Sequence, residues 1–188
     1  CALPILVPAA LDVLDEQAGL EILLCGIRSE IETVFESLQN EGGRAVDRSR
    51  IHIVEASHSL APDARPVAAL RRGKGSSLWL ALEQVANGRA SACVSAGSTA
   101  AILALGVKLL GMLRGIERPA LMSRVPSASG HTHLLDLGAN LHVNANQLVQ
   151  FAIMGYVACA LENPSEKPSV ALLNVGHEDS KGDAVIKE

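Results

Sequence analysis

Three apolar runs in this chain break off into short polar turns that contain glycine: Cys93-Val94-Ser95-Ala96-Gly97-Ser98-Thr99, Leu134-Leu135-Asp136-Leu137-Gly138-Ala139-Asn140 and Val170-Ala171-Leu172-Leu173-Asn174-Val175-Gly176. In an open α/β sheet, ligands bind in the crevice outside the C-terminal ends of the strands. Three such ends carrying small residues and hydrogen-bonding groups predict one site.

The pattern between these runs is that of alternating helices and strands. Helical spacing of Leu11 and Leu14 predicts a helix over 8–18, stopped by Gly19, and the apolar stretch before it reads as the start of that helix. A strand is expected at 20–25, and a second helix at 28–39, where Ile31, Val34, Phe35 and Leu38 share a stripe. The β-branched segment 51–54 reads as a strand, and 55–66 as a polar connection. Ser76 begins a helix ending at Gly88, 92–95 reads as a strand, and Ser98 or Thr99 caps a helix running to about Met112. Strands at 119–125 and 133–137 flank a turn at 126–130. A helix over 146–161 packs through Leu148, Phe151, Ala152 and Gly155, and 170–175 supplies a last strand. This alternation implies a single α/β domain over 1–188, with a mostly parallel sheet covered on both faces.

The core must be aliphatic, because 48% of the residues are hydrophobic and only 2% aromatic. Sixteen basic against twenty acidic residues give a net charge of −4, and no basic, aromatic-studded face is available for stacking bases; nucleic acid is excluded as a partner. Cys1, Cys25, Cys93 and Cys159 lie far apart, which suits buried reduced thiols in a cytoplasmic protein. The opening segment has no basic flank, so it does not read as a signal peptide. The longest apolar run, 100–107, is stopped by Lys108, so membrane contact is expected to be peripheral. The chain lacks an initiator Met and stops just after a polar turn, which suggests part of something longer.

Gly97-Ser98-Thr99 before a helix can hold a phosphate on unpaired backbone N–H groups, or be a tight connection only. Lys74, in Arg71-Arg72-Gly73-Lys74-Gly75-Ser76-Ser77, is a second candidate for an anion, or part of a solvated basic loop. Asp136 and Asn140 flank Gly138 where a carboxylate must be paired or bind something, so ligand binding and structural capping both remain open. The last turn brings His177, Glu178 and Lys181. The lysine can stabilise an anionic phosphate or an oxyanion, and His177 is either a general base or a surface histidine. His131-x-His133 would put two imidazoles on one face, but no third ligand stands at a convincing spacing, so no metal is expected. Neither a Gly-x-Ser-x-Gly elbow nor a Gly-x-Gly-x-x-Gly dinucleotide turn is present.

In order along the chain, the Arg71 to Ser77 segment, Val94-Ser95-Ala96-Gly97-Ser98-Thr99, Gly115-Ile116-Glu117-Arg118-Pro119-Ala120-Leu121, Leu134-Leu135-Asp136-Leu137-Gly138-Ala139-Asn140, Gln150-Phe151-Ala152-Ile153-Met154-Gly155 and Leu172-Leu173-Asn174-Val175-Gly176 through Lys181-Gly182 resemble the bacterial phosphate acyltransferase family of phospholipid synthesis (PlsX). The resemblance implies transfer of a fatty acyl group from acyl carrier protein to inorganic phosphate, without a cofactor. The product would be acyl phosphate for a downstream membrane glycerol-3-phosphate acyltransferase. It also implies a three-layer Rossmann-like fold of the isopropylmalate dehydrogenase and phosphotransacetylase type, a homodimer, peripheral attachment to the inner face of the cell membrane, and a longer chain of which this is the N-terminal part. Lys181 matches the family's catalytic lysine. Ser95, Gly97, Ser98 and Thr99 match its phosphate-side turn, and Asp136, Gly138, Asn140, Asn174 and Gly176 match other walls of its cleft.

The chain departs from the family where Ser98-Thr99-Ala100 replaces the usual Asn-Thr-Gly, and where Gly73-Lys74 replaces paired lysines. These departures leave room for two alternatives: a non-catalytic paralogue that binds phosphate or acyl carrier protein, and a phosphotransacetylase that uses acyl-coenzyme A. Docking of an acidic carrier protein on this net-negative chain would need a local basic patch, for which Arg71, Arg72 and Lys74 are the candidates.

Overall fold

A computed structural model describes residues 3–42, 47–128, 130–165, 167–174, 176 and 185. The backbone divides into two compact units, Cys1–Gly111 and Met112–Glu188.

The first unit opens with α1 (Leu3–Glu16), β1 (Ile22–Gly26), α2 (Arg28–Gly42) and β2 (Ile51–Glu55). β1 and β2 pair in parallel, Leu24 opposite Ile53, with α2 as the crossover. Val7, Leu11 and Leu14 recur at helical spacing along α1 and are buried with Leu24, Ile31, Phe35 and Ile51 in one aliphatic cluster. Arg50 closes α1 from the far side: its guanidinium donates to the carbonyls of Leu14 (2.6 Å) and Gln17 (2.7 Å), where the helix leaves acceptors unpaired.

The unit continues through α3 (Pro66–Arg72), α4 (Ser77–Ala86) and α5 (Thr99–Leu110). α3 falls just beyond the segment read from sequence as a connection. It is only seven residues long, it starts on Pro66, whose fixed φ suits a first helical turn, and it buries just Ala69. Ala69 joins Leu78, Trp79, Leu82, Ala101 and Leu105 in a second cluster. Ser76 caps α4 as expected, its side chain accepting from the Trp79 N–H.

The second unit holds β3 (Ser123–Ser127), β4 (Gly130–Leu134) and α6 (Ala145–Glu162). β3 and β4 form an antiparallel hairpin, Val125 opposite Thr132. α6 starts with a reciprocal capping box: Asn144 accepts from the Gln147 N–H while the Gln147 side chain accepts from the Asn144 N–H. Phe151 is buried and a Cβ at Gly155 would stand 3.0 Å from Leu135, as the predicted packing face requires, but the other buried residues of α6 are Gln147 and Gln150, while Leu148 and Ala152 are only half-buried.

The chain is thus mixed α/β with a parallel strand pair, and three strand expectations need correction. Segment 92–95 is not a strand, and Val94 is 83% exposed. Residues 170–174 are likewise irregular, with Leu173 83% exposed. The pair expected at 119–125 and 133–137 lies at Ser123–Ser127 and Gly130–Leu134 and runs antiparallel. The reason is common to all three: a short apolar run becomes a strand only where another segment offers its backbone groups in register, and composition does not report that. The cysteines also differ from expectation, because Cys25, Cys93 and Cys159 are free but only half-buried. Burial, reinforced by the neighbouring Cys93 thiol, pushes the Cys25 thiol up to about 11.

Candidate functional site

The turn before α5 is built by its own hydroxyls. Ser98 is the N-cap: its Oγ accepts from the Ala101 N–H at 3.3 Å and donates to the Ala64 carbonyl at 3.0 Å. Ser95 Oγ accepts from the Gly97 N–H at 3.2 Å. Helix geometry leaves the N–H groups of Thr99 and Ala100 without intrahelical acceptors, and Thr99 and Gly97 are exposed. The strand predicted before this turn is missing, but the capped helix start is in place, and it is the part that can bind an anion.

Lys74 lies in a loop held against residues 57 and 58. Ser57 donates from both its N–H and its hydroxyl to the Gly75 carbonyl, each at 3.1 Å, and the Ser77 N–H donates to the His58 carbonyl at 3.0 Å. Gly75 sits at φ +80°, the left-handed region that glycine tolerates best. At Gly73 a Cβ would collide with the Ala69 carbonyl and stand 3.3 Å from Leu105. The glycine where the family has a lysine is therefore accommodated by local packing. Arg71, Arg72 and Lys74 are all exposed.

In the turn after β4, the carboxylate of Asp136 organises the loop. Oδ1 accepts from the N–H groups of Leu121 (2.9 Å) and Ala139 (3.0 Å), and Oδ2 accepts from the N–H (2.8 Å) and the side-chain amide (2.9 Å) of Asn140. Asn140 also donates to the Pro119 carbonyl at 2.9 Å. Desolvation raises the Asp136 pKa, but the donors from Leu121, Asn140 and Ala139 outweigh it and hold the carboxyl below its usual range. Four donors match the accepting capacity of a carboxylate. Of the two sequence readings for Asp136 and Asn140, the geometry supplies the structural one, while Gly138, at φ +101°, is exposed.

Sequence reasoning missed the role of Glu117. Its N–H donates to Gln150 Oε1 at 2.8 Å, and its carboxylate accepts from Asn146 and Gln147, both at 3.0 Å. The Gly115 to Leu121 motif is thereby tied to the first turns of α6. The available signal was the amide-rich start of α6, Asn144-Ala145-Asn146-Gln147, facing a lone acid in a loop.

Of the last turn, Asn174 and Gly176 are half-buried, while Lys181, His177 and Glu178 lie outside the described residues. Ser95, Gly97, Ser98, Thr99 and Lys74 belong to the first unit, and Asp136, Gly138, Asn140, Asn174 and Gly176 to the second.

A further cluster joins β4 to α6. Glu162 faces both His133 (3.2 Å) and His131 (3.4 Å), with Arg124 at 3.7 Å, and Cys159 Sγ lies 2.9 Å from His133 Nδ1. Desolvation raises the Glu162 pKa, yet the hydrogen bond and charge of His133, with Arg124 and His131, bring it below its usual value. An open cleft of about 380 Å³ beside it is lined by Arg124, Val125, Pro126, Gly130 and His131.

These features define a mixed α/β protein whose helix α5 starts at a side-chain cap. The chain belongs to the fatty acid synthesis protein family (PlsX family), matching it over residues 3–188. It is 46% identical over 182 residues to a protein of Pseudomonas syringae pv. tomato named phosphate acyltransferase, which covers 97% of this chain and 52% of that relative. A protein of the same name from Methylococcus capsulatus is 43% identical over 183 residues, again 97% of this chain and 52% of the relative. The chain spans about half the length of the curated relatives it matches. Among the described residues, no helix is long and apolar enough to cross a membrane.

Proposed function

We propose that the protein to which this chain belongs transfers a fatty acyl group from acyl carrier protein to inorganic phosphate, forming acyl phosphate for phospholipid synthesis. The observation that carries this reading is the family match over nearly the whole chain, with relatives named phosphate acyltransferase at 43–46% identity.

The chemistry fits what the residues offer. A phosphate oxygen attacks the thioester carbonyl and forms a C–O bond. The tetrahedral oxyanion then collapses, the C–S bond breaks, and the carrier thiolate leaves and takes up a proton. The nucleophile comes with the substrate, so the protein has only to hold phosphate, orient the thioester and stabilise the oxyanion. Ser95, Gly97, Ser98 and Thr99, at the capped start of α5, take the phosphate, with Lys74 as a further anion contact. Lys181 stabilises the oxyanion. Asp136, Gly138, Asn140, Asn174 and Gly176 complete the substrate-binding set, with Asp136 and Asn140 acting by shaping their loop. The fold is of the three-layer Rossmann-like type of the isopropylmalate dehydrogenase and phosphotransacetylase group. The protein works as a homodimer, peripherally attached to the inner face of the cell membrane, and supplies a glycerol-3-phosphate acyltransferase.

The test is to mix the full-length protein with long-chain acyl carrier protein and phosphate and to measure acyl phosphate. Product is expected, and Lys181→Ala should lose about 10²-fold or more in rate, as expected for an oxyanion donor. Unchanged turnover removes Lys181 from that role. Phosphate binding without product favours the non-catalytic paralogue, and faster turnover with acyl-coenzyme A favours the phosphotransacetylase.

A further inference from the structure

The sequence offered His131 and His133 without a third ligand; the fold supplies one. The two residues are two apart on β4, so their side chains leave the same face of the strand. Glu162, the last residue of α6, brings its carboxylate to both rings. The three donor atoms lie within 4.8 Å of one another. Zinc bonds of about 2.0–2.1 Å in a tetrahedron put donors roughly 3.4 Å apart. His131 Nε2 stands 3.4 Å from Glu162 Oε2 and His133 Nε2 stands 3.2 Å from Oε1, so each imidazole meets its own oxygen of the one carboxylate at about that length. Binding needs the imidazoles to draw together and the exposed carboxylate to turn one oxygen, or both, toward the ion, and the His131 side chain, one-third exposed, has the freedom to move.

Two further observations point to a ligand. The His133 side chain is only 4% exposed, and its Nε2 is aimed at the carboxylate. Its other nitrogen, Nδ1, faces Cys159 Sγ at 2.9 Å. Holding the proton on Nδ1 leaves Nε2 as the lone-pair donor, which is how an outer partner orients a metal-binding histidine. In addition, His131 borders the open cleft, so a fourth position is accessible to water.

We propose that His131, His133 and Glu162 form a three-ligand site for a divalent transition ion of the zinc class, with Cys159 positioning His133. The two-nitrogen, one-carboxylate set suits zinc rather than magnesium or calcium, which prefer oxygen alone. The ion clasps the β3–β4 hairpin to the C-terminal end of α6. Arg124, 3.7 Å from Glu162 and 61% exposed, competes for the carboxylate and swings into solvent when the ion binds. The proposal is independent of acyl transfer.

The experiment is calorimetric titration of the metal-free, tag-free chain with zinc chloride, with circular dichroism on every variant. One ion per chain is expected. His131→Ala, at an exposed position that does not threaten folding, and Glu162→Gln should each weaken binding more than about 100-fold, beyond the roughly 10–100-fold typical of an orienting partner. Cys159→Ala should lose about 10–100-fold and Cys159→Ser only a few-fold, since serine keeps a polar acceptor. Arg124→Gln should bind several-fold tighter. Absence of binding by the wild-type chain overturns the proposal. So does binding unchanged in both His131→Ala and Glu162→Gln, which places the ion elsewhere. Equal effects of Cys159→Ala and Cys159→Ser overturn the positioning role.

Discussion

Asp136 is the residue whose environment is most demanding. Its carboxylate takes four donors and is held ionised, so Asp136→Ala should cost about 2 kcal/mol or more at neutral pH, in line with hydrogen bonds to a charged group. Because the folded value lies below the usual 3.8, the stability it contributes is fully present above that value and is lost as pH falls through the folded one. Urea titrations should therefore show the gap between wild type and variant narrowing below about pH 4. The sequence displayed the acid, the glycine and the asparagine at their spacing. It did not display the Leu121 and Pro119 backbone groups, which lie more than a dozen residues away and close the network. Gly73 makes the same point in reverse. Its replacement by alanine should cost about 1–3 kcal/mol through overpacking against the Ala69 carbonyl and Leu105, read as a lower thermal midpoint.

Among the elements, most helices were legible, and of the strands the paired ones at 20–25 and 51–54, which are β1 and β2. α1, α2, α4, α5 and α6 carry their apolar positions within the element itself, and α4, α5 and α6 have their N-caps directly beside it, so local pattern predicts them. Ser98→Ala should destabilise the protein by about 1 kcal/mol through loss of the α5 cap, and somewhat more because the Ala64 carbonyl loses its donor. Thermal melts would read this directly, and a variant as stable as wild type would mean that the cap has no energetic role. The strands at 92–95 and 170–174 failed because strand identity depends on a partner. The apolar content of Val94 and Leu173 is real, but it is exposed.

At the scale of the whole molecule, the single-domain expectation leads to its own test. The one tryptophan, Trp79, reports on the first unit, and the one tyrosine, Tyr156, reports on the second. Denaturation followed by Trp79 fluorescence and by the Tyr156 ring signals in NMR should give coincident transitions if 1–188 folds as one cooperative domain. Two separated midpoints would make the units independent. Charge gives a second test. If the proposed acyl carrier protein docks through the exposed Arg71, Arg72 and Lys74 of this chain of net charge −4, its association should slow several-fold as salt is raised and in Arg71→Glu/Arg72→Glu. Salt-insensitive docking would exclude this patch.

The sequence alone determined the mixed α/β class, the aliphatic core, the helices other than α3, the caps of α4 and α5, and the family, because each is written in local spacing or in motif order. Tertiary structure decided which apolar runs found strand partners, that Asp136 is occupied by its own loop, that Glu117 ties a loop to α6, and that Glu162 and Cys159 stand beside His133. Each of these rests on groups far apart in the chain coming within about 3 Å, the range in which hydrogen bonds form, and no pattern along a single strand or helix encodes such a meeting.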